Sequence, residues 1–266
     1  MRIACVQFAP AFADISSNVS KVSEFIDSVD AELLIFPEAA LSGYCFTNFD
    51  EADSVAITQD SGAIADLLDV CRKNSKAAVI GYVERDGNSL FNSAIFIGSG
   101  GVIGNYRKAH LPCLGLDRFV SHGDALPLFD FQDWKIGIQI CFDIRFPEAT
   151  RTLALAGADL VAVPTNWPES AEASSDFICP ARASENQIFV AAANRVGVER
   201  DFRFIGKSII IGPGATILAS ADHAEETVLI ADVDLAESRV KRIVKVKGEY
   251  ELDLWGERRP DLYRFD

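Results

Sequence analysis

The chain has 266 residues, 49% of them hydrophobic and 24% charged, with a formal net charge of −14. That length supports a sizeable core and fits either two small domains or one large α/β domain. The acidic balance argues against nucleic acid or an anionic membrane surface as the main partner, though it does not imply a cationic substrate.

Residues 2–8 read as a first strand. Ile15, Val19, Val22, Phe25, Ile26 and Val29 recur at helical spacing, so a helix follows. Residues 33–36 form a short apolar run that fits a buried strand and stops at Pro37-Glu38. Residues 44–60 are polar and irregular, a candidate wall for a site. Ile64, Leu67, Leu68 and Cys71 predict a second helix, and residues 77–83 a strand. Residues 90–97 and 102–106 flank Ser99-Gly100-Gly101 and predict a β-hairpin, with Lys108 just past its second strand. Residues 110–124 are again irregular, and residues 134–140 lead into Cys141.

A helix is predicted from Pro147 to about Ala156, stopped near Gly157. Residues 159–163 read as a strand ending in Pro164-Thr165-Asn166-Trp167-Pro168. Residues 177–187 look helical despite Pro180, and residues 188–193, 204–211, 215–219 and 227–233 read as strands. From Asp234 onward the pattern turns charged and extended. Without a repeat, a low-complexity segment or a composition break, residues 1–266 are expected to form one domain with an extended tail from about residue 234. Strands that alternate with helices, with hairpins intruding, favour an α/β architecture with mixed sheets.

Three strand ends carry reactive side chains. An apolar run from Ile136 ends abruptly at Cys141, and Pro147 and Glu148 suit the first turn of the helix beyond. A thiol there sits on a rigid strand end, where open α/β sheets place their ligands. Glu38 and Lys108 also follow strands. Singly, Cys141 fits a buried structural cysteine, Glu38 a solvated loop acid and Lys108 a surface lysine beside Arg107. Tyr44, Asn166 and Trp167 are candidate pocket residues, and the bulky Tyr44 and Trp167 fit the core equally well.

The six cysteines, Cys5, Cys45, Cys71, Cys113, Cys141 and Cys179, are scattered without a C-x-x-C pair. Free thiols in a reducing compartment are therefore expected. No signal-peptide apolar region follows Arg2 and no run reaches the length of a membrane span, so a cytoplasmic location is expected. Neither a His pair at i, i+4 nor a nucleotide-binding glycine motif is present, so neither a metal site nor a dinucleotide cofactor is expected.

Together, Glu38, Lys108 and Cys141 resemble the Glu-Lys-Cys triad of the nitrilase, or carbon–nitrogen hydrolase, superfamily. The resemblance runs through nearly the whole chain. It includes Ile3-Ala4-Cys5-Val6-Gln7, Phe36-Pro37-Glu38, Tyr106-Arg107-Lys108-Ala109-His110-Leu111, Cys141-Phe142-Asp143 and Ala181-Arg182-Ala183-Ser184-Glu185-Asn186. It implies a four-layer α-β-β-α sandwich with two mixed sheets, which periodicity alone does not separate from a doubly wound single sheet.

The resemblance also implies chemistry: hydrolysis of a non-peptide C–N bond, a small carboxamide first, through a thioester on Cys141. Glu38 would be the base and Lys108 the oxyanion partner, with the Phe142 backbone amide as second donor and no cofactor. Many relatives carry a further glutamate between the lysine and the cysteine. No glutamate stands there in this chain. Asp117 lies closest, although the direct register falls on Leu116, and its alternative is a surface pair with Arg118. Arg182, Glu185 and Asn186 would orient the site or form an intrahelical pair. His110 belongs to a motif and is expected to be structural. The implied partner is a small amide or nitrile, with a homodimer or larger homo-oligomer formed in part through the tail.

Nitrile hydrolysis and N-carbamoyl amine hydrolysis use the same triad. A Cys-His hydrolase built on Cys141 with His110 or His122 leaves Glu38 and Lys108 unexplained. A non-catalytic binding protein on this fold normally has a broken triad, and here all three positions are filled.

Overall fold

The computed structural model describes residues 1–222 and 225–263. The first half of the chain supplies β1 (Arg2–Gln7), β2 (Leu33–Ile35), β3 (Ala77–Asp86), β4 (Ser89–Gly98) and β5 (Gly101–Arg107). Next come β6 (Leu128–Phe131), β7 (Trp134–Ile138), β8 (Leu160–Thr165) and β9 (Phe189–Asn194). A ribbon of β10 (Val196–Glu199) and β11 (Phe202–Ile205) precedes β12 (Ile209–Gly212), β13 (Thr216–Ser220) and β14 (Thr227–Asp232). The helices are α1 (Ile15–Ser28), α2 (Phe49–Ser54), α3 (Gly62–Asn74), α4 (Pro147–Leu155), α5 (Cys179–Asn186) and α6 (Leu235–Arg239). A last hairpin pairs β15 (Arg242–Val246) with β16 (Tyr250–Asp253).

Among the described residues the long strands form two six-stranded sheets, in the orders β14-β1-β2-β3-β4-β5 and β13-β12-β9-β8-β7-β6. Strands β1, β2 and β3 are parallel, as are β7, β8 and β9, and antiparallel strands flank both groups. Inward side chains of the two sheets meet in one core, with Ile3, Leu33, Ile35 and Phe96 facing Ile136, Ile138, Leu160 and Phe189. The outer face of the first sheet packs on α1 and α3 through Val22, Ile26, Leu67 and Cys71, and that of the second on α4 and α5 through Leu153, Cys179 and Ala183. Buried on both faces, the central strands are near-continuous apolar runs. The result is the four-layer α-β-β-α sandwich with two mixed sheets.

The differences from the sequence reading have local causes. The predicted strand over residues 204–211 is broken, because Gly206 and Lys207 take φ of +62° and +54° between β11 and β12. Strand β8 runs on through Pro164 and Thr165, since Pro164 lies past the last β7 pairing and pairs only with Ala193 of β9. Pro180 is accommodated inside a continuous helical stretch, where a π-helical turn, Ser174–Ile178, runs directly into α5. A short helix, α2, forms inside the irregular 44–60 stretch and is capped by the Asn48 side chain. The charged tail is not simply extended: it carries α6 and the β15–β16 hairpin.

Since β5 is antiparallel to β4, and β4 to β3, strands β2, β3 and β5 point the same way. Glu38, just past β2, and Lys108, just past β5, therefore leave the first sheet at one end.

Candidate active site

Beyond β2 the chain turns at Pro37-Glu38-Ala39, with Ala39 at φ +49°. The turn lies flat on β3. Phe36 N–H donates to Val79 O (2.9 Å) and Leu41 N–H to Gly81 O (3.2 Å). A Cβ at residue 81 would stand 2.4 Å from Pro37 O and 2.7 Å from Glu38 Cα, so glycine is what admits this close approach. Glu38 is fully buried there. Lys108 is held by its backbone N–H, which donates to Asn92 O on β4 (2.8 Å), and is also fully buried.

Cys141 follows β7 and opens a tight helical turn, Cys141–Arg145, that runs into α4. Its φ is +49°, a left-handed conformation that costs a non-glycine residue roughly 1–2 kcal/mol and is found at functional sites. The Asp143 carboxylate over-determines this turn. Oδ2 accepts from Ile140 N–H (2.9 Å) and the Tyr106 hydroxyl (2.8 Å), and Oδ1 accepts from His110 N–H (2.9 Å) and lies 2.7 Å from His110 Nδ1. One buried side chain thus ties the residue before Cys141 to the segment after Lys108. The His110 ring stacks on Phe146 at 3.9 Å. Arg182 closes the turn from the other side, donating to Ile144 O (3.0 Å) and Arg145 O (3.1 Å). It also makes the intrahelical pair with Glu185 at 3.1 Å.

Lys108 Nζ stands 2.7 Å from Glu38 Oε1 and 2.6 Å from Asp117 Oδ2. The Tyr44 hydroxyl also donates to Asp117 Oδ2 (2.6 Å), and Asn92 Nδ2 donates to both Glu38 Oε1 (2.7 Å) and Asp117 Oδ1 (2.8 Å). Asp117 sits in a tight turn, Gly115–Arg118, hung on Tyr44: Leu116 N–H donates to Tyr44 O (2.8 Å). Gly115, at φ +47°, lies so close to the Tyr44 ring that a Cβ would come within 2.5 Å of it. Leu116, where the direct register fell, points into an apolar cluster with Phe46 and Val83. Arg118 donates to Phe46 O (2.7 Å) and leaves Asp117 to the interior.

The two carboxylates differ in their free valence. Asp117 uses both oxygens, while Glu38 Oε2 is buried without a partner. Burial pushes the Glu38 pKa up; Lys108 opposes this and Asp117 reinforces it, and the net direction is upward. Burial works against the Lys108 ammonium, but Asp117, Glu38 and Cys141 more than offset it and hold the lysine charged. Burial and then Glu38 raise the Cys141 thiol above its usual range, against Lys108, the Thr165 hydroxyl and the Asn166 backbone amide. A thiol so placed stays protonated at neutral pH, and an adjacent base with a free oxygen is what it needs in order to react.

Asn166 follows β8 beside this group. Its Nδ2 donates to Glu38 O (2.8 Å) and its Oδ1 is buried without a partner. The turn's first internal bond starts at Asp143 N–H, so the Phe142 N–H precedes it. Trp167, 2% exposed like Tyr44, packs with Ile144, Val163 and Cys179 in a cluster outside the second sheet that Cys141 also touches. His122 Nδ1 lies 2.9 Å from Ala109 O.

Sequence reasoning missed Asn92, whose signal was a polar pair, Asn92-Ser93, inside an apolar strand. It also missed Glu199, which gave no signal. The Glu199 carboxylate accepts from Tyr44 N–H (2.8 Å) and Cys45 N–H (2.7 Å) and pairs with buried Arg195, fixing the Tyr44 loop from the β10–β11 ribbon. A cavity of about 220 Å³ opens on this loop, lined in part by Cys45, Leu114, Gly115, Arg118 and Phe202. A larger one, about 930 Å³, lies between α4 and the tail and is lined by none of Glu38, Lys108, Asp117 and Cys141. Among the described residues, no group of three or more His, Cys, Asp or Glu side chains is placed to hold a metal ion.

Known proteins resemble this chain in sequence and fold. Residues 2–242 match the family described as carbon-nitrogen hydrolase. The chain is 38% identical over 270 residues to a nitrilase of Pyrococcus abyssi, covering 99% of each chain. It is 33% identical to a 2-oxoglutaramate amidase of Bacillus subtilis, covering 95% of this chain and 98% of that one. Among solved structures it superposes on an amidase from Nesterenkonia sp. carrying the acetamide moiety of fluoroacetamide on its active-site cysteine. The TM-score is 0.78 at 25% identity, covering 90% of this chain and 92% of that one. By fold and sequence alike, the chain belongs to the carbon–nitrogen hydrolase family of the nitrilase superfamily.

Proposed function

We propose that the protein hydrolyses a small carboxamide through a thioester on Cys141, with Glu38 as general base and acid and Lys108 as oxyanion partner. The observation that carries this reading is the single buried lysine between two carboxylates, one of which keeps a free oxygen, beside a cysteine held on a strained turn. Cys141 Sγ attacks the carbonyl carbon while Glu38 Oε2 takes the thiol proton. The carbonyl π pair moves onto oxygen, where the Lys108 ammonium and the Phe142 N–H stabilise it. As the tetrahedral intermediate collapses, the C–N bond breaks and Glu38 returns the proton to the departing amine. Water, deprotonated by Glu38, then attacks the thioester, releasing the acid and restoring the thiol. The raised thiol pKa makes this attack base-assisted, with no standing thiolate.

Asp117 acts as an auxiliary acid: it fixes Lys108 and keeps Glu38 basic. Tyr44 and Asn166 border the substrate. Relatives carry both nitrilase and amidase names, and a carboxamide is chosen first because it demands least beyond the triad. The enzyme is assigned to the cytoplasm, in keeping with its scattered free thiols. It is assigned a homodimeric or larger state, because the tail hairpin exposes Val244, Val246, Tyr250 and Leu252. Light scattering that found an active monomer at micromolar concentration would remove the last assignment.

The function is tested by ammonia release from a panel of small amides, nitriles and N-carbamoyl amines, with intact-mass detection of an acyl adduct. Turnover of amides with the adduct on the Cys141 peptide is expected. Preferential turnover of nitriles or carbamoyl compounds would replace the substrate assignment.

A further inference from the structure

The triad is held together by a residue that takes no part in bond making. Asn92 lies in β4, fully buried, one position before the pairing of Ser93 with Arg107 at the end of β5. Its backbone carbonyl accepts the Lys108 N–H at 2.8 Å. Its side-chain nitrogen donates one hydrogen to Glu38 Oε1 (2.7 Å) and the other to Asp117 Oδ1 (2.8 Å). Both partners are carboxylates that only accept, so the orientation of the amide is fixed by chemistry. We infer that Asn92 is a positioning residue that holds Glu38, Lys108 and Asp117 in one register and keeps Glu38 Oε2 turned free for the reacting thiol.

Glu38 Oε1 accepts from Lys108 and Asn92, which saturates that oxygen and leaves Oε2 without a partner. Without Asn92, nothing but Lys108 holds the carboxylate, and Lys108 is shared with Asp117. The carboxyl could then rotate and present either oxygen. The groups facing Glu38 are Lys108, Asp117, Tyr44 and Cys141. Of the two donors to its carboxylate, Asn92 alone is neutral. A hydrogen bond to the ionised form favours that form, so its removal raises the pH at which Glu38 loses its proton.

This inference rests on the amidase reading, and its test is separable from it. Asn92→Leu removes both donors, and Asn92→Asp keeps the shape but sets a third acid against the other two. In both variants kcat/KM for a small amide should fall on the order of 10- to 100-fold, as expected for losing a buried bond to a charged group. The drop should lie in kcat with KM little changed, and the acidic limb of the pH–rate profile should move to higher pH. Circular dichroism and thermal melts identify any variant that has not folded; Asn92→Asp, equal in shape, serves if Asn92→Leu fails.

The same limb is read without turnover from the pH dependence of Cys141 alkylation by iodoacetamide. If the wild type hydrolyses none of the panel, the functional reading fails while the alkylation profile still decides the role of Asn92. A lowered melting temperature with an unmoved acidic limb in a folded variant would overturn the inference and leave Asn92 a core residue.

Discussion

The Tyr44 hydroxyl donates to Asp117 Oδ2 at 2.6 Å, and both side chains are sealed from solvent. Burial, followed by Asp117 and Glu38, pushes the Tyr44 pKa well above its usual value, so the phenol remains a donor. Tyr44→Phe leaves Asp117 with Lys108 and Asn92 alone. Losing a buried bond to a charged acceptor is worth roughly 1.5–3 kcal/mol, so a fall in kcat/KM of about 10-fold or more is expected. Steady-state kinetics on the best amide checks this, and wild-type rates would separate the bond from catalysis.

Asp117→Asn should cut kcat on the order of 100-fold or more while leaving the fold in place, since Lys108 keeps Glu38 as a partner. Asp117 is one cause of the raised Glu38 pKa, so its neutralisation should also move the acidic limb of the rate profile downward. Kinetics across pH with a parallel thermal melt tests both statements. An unmoved limb with full turnover would take Asp117 out of the site chemistry.

Much of this was legible in the sequence. The strand-then-polar pattern at Glu38, Lys108 and Cys141 placed all three at strand ends, because period and punctuation are local signals. Asp117 was found only by elimination, since the turn that aims it inward depends on Gly115 packing on Tyr44, a contact 71 positions apart in sequence. Asn92 showed only as part of a polar pair in an apolar strand and Glu199 not at all, because each acts through partners brought by other strands. Trp167 was ambiguous because a bulky aromatic after a strand suits a core and a pocket alike, and its cluster holds Cys179 and Val163 while also touching Cys141.

The pH response follows from the two shifted groups. Glu38 is a base only when ionised, and its pKa is raised, so activity should climb as pH rises through a value above the ordinary carboxylate range and fall away below it. The Cys141 thiol is also raised, so no thiolate–cation pair stands ready at neutral pH. In a Glu38→Gln variant, alkylation of Cys141 by iodoacetamide should therefore stay slow until alkaline pH. Rapid alkylation near pH 6 in that variant would point to a standing thiolate.

Glu199 and Arg195 form a buried pair that also anchors the backbone of Tyr44 and Cys45. Removing one member leaves the other charge unpaired, at a cost of about 3–5 kcal/mol. Glu199→Ala should lower the denaturant midpoint accordingly and weaken substrate binding through the loosened Tyr44 loop. Glu199→Gln, which keeps an acceptor oxygen, should lose less. Equal losses in the two variants would contradict the anchoring role.

The most direct test of the account is ammonia release from a small carboxamide by the wild type and by Cys141→Ala, with folding checked by circular dichroism. Turnover by the wild type is expected, and none above background for a folded Cys141→Ala protein. Hydrolysis by folded Cys141→Ala at a near-normal rate would contradict it.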